Sequence, residues 1–278
     1  MDTAPEFVAS DFVRIEHPSP RVALITLNRP ERMNSMAFDL MIPLRDALTQ
    51  VGHDNAVRAV VLTGAGRGFS SGADHKSAGA VPHVGGLTRP SFGLRSMELL
   101  DDVILAIRRL HQPVIAAVNG AAIGGGLCLA LAADIRIASS QAYFRAAGIN
   151  NGLTASELGL SYLLPRAIGS SRAAEIMLTG RDVDAAEAER IGLVSRVVDP
   201  PDLLGACYEV AERIAGFSRP GVELTKRTLW SGLDAGSLEG HMQAEGLGQL
   251  YVRLLTSNFE EAVAARAEKR PPAFTDDK

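Results

Sequence analysis

Few side chains in this sequence have both the type and the spacing for chemistry. Gly68-Phe-Ser-Ser-Gly72 fits G-x-S-x-G, the pattern that lifts a nucleophilic serine, here Ser70, onto a sharp strand-to-helix turn. Such an elbow joins its strand directly to a helix. Here residues 64–67 separate the β-type run ending at Thr63 from Gly68, and no helical pattern follows Gly72, which argues against a hydrolase. Cys128 follows a glycine run, and a helix N-terminus there would lower its thiol pKa toward that of a nucleophile. A cysteine amid leucines and alanines is more often a small buried filler. Glu157 closes Thr154-Ala-Ser-Glu157, a capping box in which its carboxylate would satisfy a backbone NH at a helix start. A complete Walker loop, HExxH and paired CxxC are all absent, so nucleotide-triphosphate and metal chemistry have no support.

The elements that must position these residues follow from periodicity. Phe12 to Glu16 and Val22 to Leu27 are β-type runs flanking HPSPR, whose prolines predict a hairpin turn. Ala37 to Val51 has helical apolar spacing and Ala59 to Thr63 is a short β-branched run. Gly64 to Pro90 is rich in Gly, Ser, His and Pro and long for a connection, as binding loops are. A helix from Leu94 to Leu110, the strand Val114 to Val118, a turn over Gly120 to Gly126, a helix from Leu127 and the strand Ile135 to Ala138 complete an α/β rhythm with parallel pairing. From Ser156 the pattern is almost wholly helical, beginning with Glu157 to Leu164 and interrupted by Ser195 to Val198. The last helices carry Trp230, Met242, Leu247, Leu250, Tyr251 and Leu254, more apolar surface than a small appendage hides on itself, which predicts a subunit interface.

Composition bounds the function. A chain of 278 residues with 46% hydrophobic content buries a sizeable core without disulfide or metal staples. The net charge of -4 argues against general attraction to nucleic acid or acidic membranes. Cys128 and Cys207, far apart and unpaired, suit the reducing cytoplasm. The opening MDTAPEFVASDF has no apolar stretch of the kind a signal peptide needs, and Val114 to Ala133 is broken by Asn119 and glycines, so neither targeting nor membrane spanning is expected.

Four segments, LNRPERMNSM at 27–36, GRGFSSGADHKS at 66–77, VNGAAIGGGLCLALAADIRIAS at 118–139 and LTGRDVDAAEAERIGLVSRVV at 178–198, together resemble the crotonase, or enoyl-CoA hydratase/isomerase, superfamily in order and spacing. The resemblance covers nearly the whole chain. It implies an α/β spiral of ββα turns over residues 1–200, with a helical region, 201–278, that trimerises and completes the coenzyme A site. It further implies a homotrimer or homohexamer that acts on an acyl-CoA and requires no cofactor beyond the coenzyme A of its substrate.

The same resemblance assigns site residues. A thioester enolate needs NH donors where its oxygen becomes negative, each worth ~3 kcal/mol of transition-state stabilisation. The matching motifs give the NH groups of Ala73 and Gly125, the latter at a helix N-terminus. Arg29, Lys76, Lys269 and Arg270 stand in segments resembling those that meet the nucleotide and phosphates of coenzyme A, although each alone reads as a solvated charge. Typical hydratases of the family carry two glutamates, at positions that here hold Cys128 and Gly148. The segment around Glu157 instead resembles peroxisomal-type enoyl-CoA isomerases, whose single catalytic glutamate stands eight residues before a proline, as Glu157 does before Pro165. A one-base isomerase is thus expected. The alternatives are an atypical hydratase, another crotonase reaction drawing on the 79–93 loop, or a non-catalytic acyl-CoA binder. Asp74 is read as fixing its own turn, His75 departs from the apolar residue usual there and is read as lining the pocket, and Ala78 to Phe92 as shaping the acyl pocket.

Overall fold

A computed structural model of the chain describes residues 11–275, so the opening segment read for a leader lies almost wholly outside the described residues. Val13–Ser19 (β1) and Val22–Leu27 (β2) pair antiparallel, and Phe38–His53 (α1) follows. The expected turn at HPSPR comes later than predicted. β1 continues to Ser19 through a register shift after Glu16 that accommodates Pro18.

Three further ββα turns follow. They comprise Ala59–Gly64 (β3), Gly68–Ser70 (β4) and Arg89–Arg109 (α2); then Val114–Val118 (β5), Ala121–Ile123 (β6) and Gly125–Ala132 (α3); then Ile135–Ser139 (β7), Tyr143–Arg145 (β8) and Leu160–Ile168 (α4). Ser170–Thr179 (α5), Asp182–Asp184 (β9), Ala185–Arg190 (α6) and Arg196–Val198 (β10) close this part. The first turn gives both strands, and each of the three further turns its first strand, to a six-stranded sheet ordered β1-β2-β3-β5-β7-β10, parallel beyond the first pair. The second strands of those three further turns, with β9, form a four-stranded sheet ordered β4-β6-β8-β9. This is the spiral of ββα turns that the resemblance implies.

β2, β3 and β5 are buried on both faces, which is why they read as continuous apolar runs. One face, with Ile25, Leu62 and Ala116, packs on α1, α2 and α3. The other, with Leu24, Val61, Ile115 and Ile137, packs on Leu203, Cys207 and Ala211 of Leu203–Ala215 (α7). The helical region drawn from residue 201 therefore begins with a helix that belongs to the sheet's own core. Arg219–Gly232 (α8), Leu238–Leu255 (α9) and Asn258–Ala267 (α10) complete the chain.

A buried charge cluster fastens α8 to the spiral. Asp134, after α3, accepts hydrogen bonds from Val114 N (2.7 Å), Lys226 Nζ (2.8 Å) and Trp230 Nε1 (2.6 Å), and the Arg108 guanidinium lies 3.3 Å over the indole. Lys226 also donates to the Gln112 carbonyl. Burial lowers the Lys226 ammonium pKa, opposed by Asp134. Trp230 thus packs within its own chain. Met242, Leu247, Leu250, Tyr251 and Leu254 of α9 are exposed, and no residue of α9 is buried.

Candidate active site

The site lies where the connections after β4 and β6 meet. Met36 N donates to Gly72 O (2.7 Å) and Asp74 N donates to Met36 O (3.0 Å), a single parallel bridge centred on Ala73. Because NH groups alternate in direction along extended backbone, that bridge turns the Ala73 NH the other way. No acceptor for it occurs among the described residues, and Ala73 is exposed between buried Gly72 and Asp74. Gly72 sits at φ 79°, and a Cβ there would lie 2.5 Å from Ile123 O and 3.3 Å from Gly125 N. Only glycine permits this approach of the two loops. Gly125 is the first residue of α3, so its NH has no intrahelical acceptor and points from the positive end of the helix. The two NH groups expected from the sequence are thus brought to one place.

Asp74 anchors the first of these loops. Its side chain is only 2% exposed and accepts from the NH groups of Lys76 (2.9 Å) and Ser77 (3.0 Å), from Ser35 Oγ (3.1 Å) and from Arg32, with Arg29 at 3.3 Å. Burial would raise its pKa, but these donors prevail and hold it at about 2. The Asp74 turn agrees with the sequence expectation, whereas Arg32 and Ser35, in LNRPERMNSM, reach it across 42 and 39 residues of sequence, a contact that no local motif signals.

Glu157 approaches from the other side. A Cβ on Gly124 would lie 3.2 Å from Glu157 Oε1, which places the carboxylate against the turn that opens α3. Here the structure corrects two expectations. The predicted helix 157–164 begins instead at Leu160, with Gly159 as N-cap and no side-chain cap, and Thr154 Oγ1 bonds to Ser156 O. The capping-box reading therefore fails and leaves the Glu157 carboxylate free of that duty. Leu158 (φ 46°) and Gly159 (φ 79°) are both left-handed, a reversal that α-helical periodicity cannot foresee. Partial burial raises the Glu157 pKa, and the charge of His75 opposes the rise.

The rival groups are out of place. Ser70 is fully buried and donates to Asn34 O, so it is no nucleophile. Cys128 is equally buried, its Sγ 3.3 Å from Gly124 O and 3.5 Å from Glu157 O. Burial first, and then Glu157, push its thiol well up, which excludes the thiolate reading. At Gly148 a Cβ would meet Thr154 O at 2.0 Å and Thr154 C at 2.9 Å, so the backbone itself closes that position to any side chain.

Lys76 is exposed next to the Asp74 turn, whereas Arg29 is buried among Asp74, Asp39 and Glu31. Lys269 is exposed beyond α10, and Arg270 is held by Glu261 and Glu268. Among the described residues no group of three or more His, Cys, Asp or Glu is arranged to hold a metal ion.

A spiral of ββα turns whose two loops bring the Ala73 and Gly125 NH groups side by side fits the crotonase class, and the chain belongs to the enoyl-CoA hydratase/isomerase family, whose model matches residues 18–277. Among its relatives, a probable enoyl-CoA hydratase, EchA12, of Mycobacterium tuberculosis is 82% identical over 265 residues, 95% of this chain and 93% of that protein. The crystal structure of a probable enoyl-CoA hydratase/isomerase from Mycobacterium abscessus is 72% identical with a TM-score of 0.93, covering 96% of this chain and all (100%) of that one. That of a monofunctional enoyl-CoA isomerase from M. smegmatis is 69% identical with a TM-score of 0.72, covering 84% and 99%.

Proposed function

We propose that this enzyme is a one-base enoyl-CoA isomerase of fatty-acid metabolism. The observation that carries the reading is Glu157 Oε1 beside the Gly124–Gly125 turn, with both hydratase positions emptied of carboxylates: Cys128 is buried and Gly148 is sterically closed. In the proposed reaction Glu157 removes a proton from the carbon next to the thioester carbonyl of a 3-enoyl-CoA. The dienolate oxygen takes hydrogen bonds from the Ala73 and Gly125 NH groups, and Glu157 returns the proton two carbons further along. The raised Glu157 pKa suits this work, since a base of higher proton affinity takes a carbon-bound proton more readily. The solved relative described as a monofunctional isomerase supports the same reading.

Coenzyme A enters as part of the substrate, with no other cofactor. Exposed Lys76 and Lys269 suit its phosphates, whereas Arg29, buried against Asp74, and Arg270, paired with Glu261 and Glu268, are committed to carboxylates of this chain. The unpartnered face of α9 supports a homotrimer or homohexamer. A cytoplasmic setting agrees with two free, buried cysteines; no helix among the described residues is long and apolar enough to cross a membrane.

The test supplies purified protein with 3-enoyl-CoA and, separately, 2-enoyl-CoA, following conjugated-thioester absorbance and product mass, with Glu157→Gln alongside. Conversion of the 3-enoyl ester without gain of water, lost in the variant, establishes isomerisation. Hydration indifferent to the variant sinks it, and tight binding with neither reaction establishes the non-catalytic binder.

A further inference from the structure

The helix that follows Glu157 has little of its own to hold it still. α4 is nine residues long, and the Leu160 NH at its start donates to the carbonyl of Glu157 itself (2.8 Å), so the base moves with the helix. Gly159 caps α4 without a side-chain bond, and Pro165, inside it, lacks the NH that would bond the Ser161 carbonyl. A helix so short and interrupted takes its order from what it packs against. The inner face buries Leu160, Leu163 and Leu164 in the core. That packing holds the helix down, but apolar contact is non-directional and leaves its rotation to be set by other groups.

The outer face of α4 is gripped from a distant part of the chain. Asp234 lies in the elbow between α8 and α9, and its Oδ1 accepts from the Tyr162 hydroxyl and from Arg166 Nη2 (3.2 Å), two side chains one helical turn apart. Arg166 also stacks 3.5 Å over the Tyr162 ring and donates to the Tyr162 carbonyl (3.1 Å), which makes one unit of the pair. The elbow is itself fixed. Asp234 N donates to Ser231 O (3.1 Å), a Cβ on Gly232 would lie 2.8 Å from His241 Nε2 of α9, and Trp230 just before it is bound to Asp134. One exposed ion pair contributes little to stability, but a carboxylate held on an anchored elbow and joined to two side chains of one helix fixes a direction.

We propose that Asp234 is a positioning residue for Glu157: by holding Tyr162 and Arg166 it sets the rotation of α4, and with it the angle at which the Glu157 carboxylate meets the turn at Gly124. The proposal rests on the isomerase reading of Glu157. A base set at the wrong angle loses rate steeply while the substrate binds as before.

The test measures kcat and KM for a 3-enoyl-CoA, together with amide hydrogen exchange at Leu160 and Leu163, in the full-length protein. Asp234→Ala is expected to lower kcat about five- to tenfold with KM within about twofold of wild type, and to speed exchange at both amides by about threefold or more. Asp234→Asn, whose amide oxygen still accepts from the Tyr162 hydroxyl, recovers most of the loss. Tyr162→Phe lowers kcat in the same way, and Asp234→Ala with Tyr162→Phe falls no further than Asp234→Ala, because the two act as one unit. Wild-type kcat in Asp234→Ala, unchanged exchange, losses shared between kcat and KM, or single losses that multiply in the double variant overturn the proposal. Exchange needs no turnover, so faster exchange in Asp234→Ala of a protein whose isomerisation survives Glu157→Gln would sink the isomerase reading while upholding the hold on α4.

Discussion

The Cys128 thiol lies 3.5 Å from the carbonyl oxygen of Glu157, so the residue at one hydratase position is packed against the segment that carries the proposed base. The contact is apolar packing plus a weak sulfur hydrogen bond, with no chemistry of its own. Cys128→Ala is therefore expected to lower stability by about 1 kcal/mol, as the loss of one small buried group does, and to retain most activity. Thiol-directed alkylation should leave the native enzyme untouched at this residue. Rapid inactivation by such a reagent, prevented in Cys128→Ala, would return Cys128 to the list of nucleophiles.

Replacing the base separates function from stability. Glu157→Gln should reduce kcat for isomerisation by roughly 10²- to 10⁴-fold with little change in KM. The same change should help the fold. Burial raises the Glu157 pKa above its ordinary 4.5, so the ionised form carries a cost in the native state that is present at pH 7 and absent at pH 3. The urea midpoint of Glu157→Gln is expected above wild type at pH 7 and equal to it at pH 3.

Gly148 marks a closed position. With Thr154 O at 2.0 Å from any added Cβ, Gly148→Ala forces backbone apart and should cost about 2 kcal/mol or more in a urea titration. Gly148→Glu should be no better folded and should gain no hydratase activity. Measurable hydration by that single variant would show that the loop reshapes easily.

Asp74 should dominate the acid behaviour of the first oxyanion loop. Its carboxyl is held at about 2 against an ordinary 3.8, so its stabilisation is complete above the unfolded value and disappears as pH falls toward 2. Removing one partner of a buried ion pair costs about 3 kcal/mol or more. Asp74→Ala should lose that much in urea unfolding at pH 7, and its deficit relative to wild type should shrink steadily below pH 3.8.

The apolar face of α9 gives a hydrodynamic prediction. Leu250→Glu with Leu254→Glu puts charges where 55% and 62% exposed leucines now stand. Sedimentation velocity should show wild type as an assembly and the double variant as a smaller species. A wild-type protein that sediments as a monomer would remove the oligomer from the proposal.

Much of this fold was legible because its inner strands are buried on both faces. β2, β3 and β5 announce themselves as apolar runs, and α1, α7 and α9 by apolar spacing or length. The second sheet was not legible. β4, β6, β8 and β9 have three residues each, too short for any period, and β4 and β6 hide inside stretches that read as loop and turn. The site divides in the same way. Ala73, Gly125 and Glu157 came from motif position, while the meeting of Gly72 with Gly125 N and the closure of Gly148 depend on backbone paths across the fold. The capping box at Thr154 shows the opposite failure, a local pattern overruled by two left-handed residues at 158 and 159.

Trp230, the single tryptophan of the chain, donates its indole NH to Asp134 and carries Arg108 on its ring, at the seam between α8 and the spiral. Its emission is therefore a built-in optical gauge of that seam. Detachment of α8 would take away the stacked guanidinium and the carboxylate together and put the ring in water. A fluorescence trace during unfolding would then time the release of the helical region separately from the collapse of the sheets, without any added dye.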